Sequence, residues 1–94
     1  MASDKDTMMS TANYHSGLIA AAKNSCADAF VRMNDPIREI EEFWKGSSGD
    51  LMVQHLYSIK QELLKLHGRL EAVEAQMKNQ ASVLYNEWPE SENL

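Results

Sequence analysis

The stretch EEFWKGSSGDLMVQ, residues 41–54, sets Trp44 two places before Gly46, in a run holding two glycines, two serines and an aspartate. Helices often end on a residue in the left-handed region, which glycine enters without the ~1–2 kcal/mol that a Cβ costs. Gly46 is therefore expected to close one helix. Ser47 with Asp50 three places on resembles a capping box with the shorter Asp in place of Glu or Gln, so the next helix is expected near Ser48. Trp44 is in phase with Ile37 and Ile40 and is expected to lay its ring across the end of a hairpin onto residues such as Leu51 and Met52. Burying it would contribute a few kcal/mol.

Upstream of the corner, apolar or small residues recur at Ile19, Ala22, Cys26, Phe30, Met33, Ile37, Ile40 and Trp44 in steps of three or four, which is a helix stripe. Ala12 and His15 continue the phase, and Thr7, Ser10 and Thr11 are candidate N-caps. Pro36 interrupts this helix, at roughly 3 kcal/mol if it is interior. Asn34 or Asp35 could cap a second piece with Pro36 in its first turn. The reading is a first helix over about 8–44, kinked near 34–36 but continuing in much the same direction.

Downstream, Leu56, Ile59, Leu63, Leu66, Leu70, Val73, Met77, Gln80 and Leu84 alternate steps of three and four, close to a heptad seam. Polar and charged residues such as Lys60, Glu62, Lys65, Arg69, Glu71, Glu74 and Lys78 fill the flanks. The second helix is expected over about 49–88, after a turn at 44–49, with Pro89 stopping it and 89–94 a tail. Two helices of about 50 Å joined by a short loop make antiparallel neighbours. The chain thus reads as one all-α domain over 1–94, an antiparallel helical hairpin. Flanking apolar groups such as Leu18, Phe43, Met52, Tyr57 and Leu64 would remain uncovered, so a second hairpin is expected to complete a four-helix bundle. The interface and core would be Ile19, Ala22, Cys26, Phe30, Met33, Ile37 and Ile40 on one arm, and Leu56, Ile59, Leu63, Leu66, Leu70, Val73, Met77 and Leu84 on the other.

Composition narrows the function classes. Fourteen acids against nine Lys and Arg give a formal charge of −5, and no basic block tracks a phosphate backbone, so no nucleic-acid partner is expected. Cys26 stands alone and lies in an apolar stripe, where a thiol behaves as a small hydrophobe. The longest purely apolar run is Leu18 to Ala22, far from the ~20 residues of a membrane span. The acidic, polar start MASDKDTMMSTANYHSG does not resemble a cleaved signal peptide, so export would need another route. His15, His55 and His67 lack metal-ligand spacing, and no nucleophile–base pair or phosphate loop can be assembled. No catalytic, metal or cofactor residues are expected.

Two long amphipathic helices about a central Trp44-Lys45-Gly46, followed by SSGD, resemble the WXG family, the ESAT-like small proteins of bacterial type VII secretion. The resemblance implies a homodimer or heterodimer with another small helical hairpin, secreted without a cleaved signal by a membrane ATPase machine. Many members carry a C-terminal Tyr-x-x-x-Asp/Glu signal. Here Pro89 stands four places beyond Tyr85, with acids at Glu87 and Glu90, so Tyr85, Glu87, Trp88 and Glu90 form the candidate export signal in an imperfect version. Pro36 is a second departure. The alternative is a cytoplasmic adaptor, or targeting chaperone, lying against the helical domain of a larger toxin.

Overall fold

A computed structural model of the chain describes residues 3–89. Three helices follow one another: α1 (Asp4–Arg32), α2 (Asn34–Phe43) and α3 (Ser47–Asn86). The first two form one bent arm, and α3 returns along both, giving an all-helical hairpin. The Cα trace measures 73 × 19 × 13 Å with a radius of gyration of 21.2 Å. A compact chain of this length would have about 12 Å, so the molecule is a rod.

Local chemistry explains the helix limits and moves several expected boundaries. The first helix starts at Asp4 rather than near residue 8, because Ser3 Oγ accepts the Asp6 N–H at 3.2 Å and the Ser3 carbonyl accepts the Thr7 N–H at 2.9 Å. Asp4 and Asp6 add negative charge where the helix dipole favours it. Thr7, Ser10 and Thr11 lie inside the helix. The break falls on Met33, just before the expected 34–36. Met33 keeps near-helical angles (φ −64°, ψ −19°) and donates to the Ala29 carbonyl at 3.1 Å, so the arm bends without unravelling. Pro36 is the third residue of α2, in the first turn, where its missing N–H forfeits no helix bond. The bent arm ends at Phe43, and α3 begins at Ser47 and ends at Asn86, two residues short of the expected stop.

Little of this rod is interior. Among the described residues Cys26, Ile37 and Ala81 are the buried apolar ones, and no large side chain is completely enclosed. The exposed area of 7047 Å² compares with about 5,500 Å² for a compact chain of 10.6 kDa. An excess of about 1,500 Å² follows from stacking two helices with nothing laid over them.

Candidate interaction surface

Three heptad lines on α3 decide what the hairpin hides and what it shows. Along the centre run Leu56, Leu63, Leu70 and Met77, all half-buried, then Leu84, which is exposed. On one side lie Val53, Lys60, His67, Glu74 and Ala81, which are half-buried or buried although three of them are polar. On the other side Met52, Ile59, Leu66 and Val73 are exposed, Leu66 at 45% and Ile59 at 47%. The neighbouring arm therefore covers the centre and the polar side of the seam. Of the positions expected at the interface or core, Ile59, Leu66, Val73 and Leu84, with Gln80 of the seam, are exposed at the outer edge of the single hairpin rather than buried against its own arm.

Specific contacts hold the polar line inward. Lys23 of α1 meets Glu74 at 3.6 Å, with both side chains less than a quarter exposed, and Lys78 approaches the other Glu74 oxygen at 3.3 Å. Lys60 donates to Asn34 Oδ1 at 2.6 Å and lies 4.4 Å over the Phe30 ring, tying α3 to the bend beside Met33. Such contacts are worth more here than at an open surface because the long lysine stems pack between the helices. On the first arm Cys26 and Ile37 are buried, Ile19, Phe30, Met33 and Ile40 are half-buried, and Ala22 is exposed. Ser16 is also buried, with no partner for its hydroxyl among the described residues.

A shallow groove lined by Met8, Ala12, Val73, Met77, Gln80 and Leu84 shows that the outer line of α3 shares one broad face with the start of α1. Farther along α3, His55, Ile59, Glu62, Leu63 and Leu66 line another shallow groove. The apolar stripe thus continues along most of the rod.

The corner differs from its sequence reading. Gly46 has φ +92° and ψ −172°, outside the left-handed helical region, and it serves as the N-cap of α3 rather than the end of the preceding helix. Its carbonyl accepts the Asp50 N–H at 3.2 Å, and no Ser47–Asp50 capping box forms. The positive φ still demands glycine. Gly49 has a separate role that the sequence reading missed: a Cβ there would overlap the Trp44 carbonyl and stand 3.0 Å from Trp44 Cβ. The glycine of SSGD, second in the corner run after Gly46, was its only visible signal. Trp44 itself is 53% exposed rather than buried across the hairpin end. Phe43, Leu51 and Met52 are exposed as well, beside a cleft of about 600 Å³ lined by Ile40, Trp44, Gly49, Asp50 and Val53.

At the opposite end Tyr85 is half-buried, with Lys5 Nζ 4.0 Å from its ring centroid. Trp88 is also half-buried, with its indole N–H unpartnered among the described residues, and Glu87 is exposed. Glu90, the remaining residue of the candidate export signal, lies outside the described residues. His15 stacks edge-on against Tyr14 and His67 stands 3.9 Å from Glu71, well separated along the rod. Among the described residues no three His, Cys, Asp or Glu side chains converge as metal ligands, and no helix is long and apolar enough to cross a membrane. No family model, curated protein or solved structure matches this chain.

Proposed function

We propose that this chain is a non-enzymatic interaction protein that works by pairing its outer apolar stripe with another helical hairpin to complete a four-helix bundle. It is of the WXG, ESAT-like type, exported by a type VII system without cleavage of a signal peptide. One observation carries the pairing: Met52, Ile59, Leu66 and Val73 form a continuous exposed line on a helix whose opposite flank is polar and covered. Soluble monomers rarely expose a long apolar strip unless something binds it. The secretion reading is supported by Trp44-Lys45-Gly46 at the corner of a hairpin of this size, where the half-exposed indole beside an open cleft offers a recognition surface.

The test is export in cells with an active secretion ATPase. The full-length protein should reach the medium with its N-terminus intact, and removal of residues 85–94 should retain it in the cell without loss of helicity. Trp44→Arg should leave the helical content unchanged, since the ring is more than half exposed, yet reduce export. Complete retention of the wild-type chain would refute the secretion reading.

A second reading rests on the C-terminal end. Lys5 covers the Tyr85 ring and Pro89 occupies the place of the family's acid, so half of the signal could come from a partner. The hairpin would then be an intracellular adaptor or targeting chaperone for a larger toxin. Copurification of a much larger chain at one-to-one ratio, together with failure of the isolated protein to self-associate, would favour that role.

A further inference from the structure

The edge of the hairpin away from the outer stripe carries a cavity of its own. Tyr57 and Leu64 stand about 100° round α3 from the seam residues Leu56 and Leu63, on the side opposite Ile59 and Leu66. There a cavity of about 190 Å³ opens between the two arms, walled by Cys26, Phe30 and Val31 of α1 and by Leu63, Leu64 and His67 of α3. We propose that it binds a small uncharged aromatic molecule bearing one polar atom, of the size of phenol or indole. The site is separate from the outer stripe and does not rest on the pairing reading.

Size, charge and the polar atoms at its border define the ligand class. An apolar cavity of about 150 Å³ stays dry and accepts benzene, so about 190 Å³ admits one substituted ring or a fused pair. Phe30 does not swing in to fill the space, because its ring is held under Lys60 Nζ at 4.4 Å and Lys60 is tied to Asn34 Oδ1 at 2.6 Å. Those contacts, with the Tyr57 ring centroid 5.9 Å away, also occupy the nearest cation. An anion would meet apolar walls that leave it unpaired, at a large desolvation cost. Two polar groups border the cavity. Cys26 is a free thiol, nine-tenths buried and without a hydrogen-bond partner among the described residues, and its soft sulfur favours contact with an aromatic ring. His67 Nδ1 stands 3.9 Å from Glu71, too far for a hydrogen bond. Its imidazole therefore keeps a donor or an acceptor for a ligand hydroxyl or N–H. Val31, 62% exposed, and Leu64, 58% exposed, form the mouth through which such a molecule enters.

Indole, phenol and benzene, titrated separately into the full chain and followed by nuclear magnetic resonance, test the site. Indole should shift the methyl signals of Val31, Leu63 and Leu64 saturably, with a Kd of about 1 mM or tighter. Phenol should bind about threefold or more tighter than benzene. His67→Phe should bring phenol and benzene to within about twofold of each other, a change that a merely structural imidazole would not produce. Ala27→Phe, at an exposed position on the cavity's rim, should weaken indole binding by about tenfold or more with the helical circular dichroism unaltered. Leu66→Asp should bind indole as the wild type does, so failure of the pairing reading and failure of this site are told apart. The proposal is overturned by any one of four results: no saturable shift at about 10 mM indole, shifts confined to Ile59, Leu66 and Val73, a phenol preference that survives His67→Phe, or normal indole binding by Ala27→Phe.

Discussion

The two flanks of α3 are built the opposite way round from an ordinary amphipathic helix. The flank turned toward the neighbouring arm carries Lys60, His67 and Glu74, whereas the flank turned outward carries Ile59, Leu66 and Val73. Hydrophobic burial by itself would rotate α3 by roughly half a residue spacing to cover the aliphatic line. The hairpin takes the other choice because Lys23, Asn34 and the Phe30 ring give the polar flank specific partners. Polar contacts inside a seam fix register more than they add stability. The aliphatic flank is thereby left exposed.

That contrast can be broken at several points. The largest effect is expected from Leu66→Asp, which places a charge in the middle of the outer line. On the proposed reading, pairing with a second hairpin should weaken by about a hundredfold or more, about 2.7 kcal/mol, while the helical circular dichroism of the isolated hairpin stays the same. An unchanged sedimentation profile would mean that the outer line has no partner. Next comes Gly49→Ala, whose Cβ would collide with the Trp44 carbonyl and force the corner apart. A loss of about 2 kcal/mol in urea unfolding is expected, with a smaller loss for Ser48→Ala, whose side chain is exposed.

The inner flank provides a sharper pair. Glu74→Ala leaves Lys23 mostly buried without its acid and should cost about 1–2 kcal/mol in denaturant unfolding. Glu74→Leu should change stability by less than about 1 kcal/mol but relax the register, seen as a second set of amide resonances. Equal losses from the two changes would show that the ion pair does not set the register. The smallest effect is at the open end, where Lys5→Ala removes the cation over Tyr85. A loss of about 0.5 kcal/mol is expected, appearing as faster amide exchange over residues 4–8 with the rest of α1 unaffected.

Much of this architecture was legible in residue order. The three-and-four spacing of both stripes marked two long helices, and Pro36 with Asn34 located the bend to within a few residues. The corner was found at Trp44-Lys45-Gly46, but its internal roles were misassigned. A sequence shows that glycine is present, not whether it is needed for a positive φ, as at Gly46, or for close approach, as at Gly49. The first helix also began earlier than expected, because Ser3, Asp4 and Asp6 form a complete start signal in a segment without apolar periodicity.

The residue order alone determined that α3 carries a nine-position seam from Leu56 to Leu84, more apolar surface than one neighbouring helix can cover. Only the tertiary structure decided which side of that seam is hidden. Helical periodicity places residues on a face but cannot rotate the helix about its own axis. That angle was set by contacts between residues far apart in the chain, Lys23 with Glu74 and Asn34 with Lys60, which no local pattern encodes.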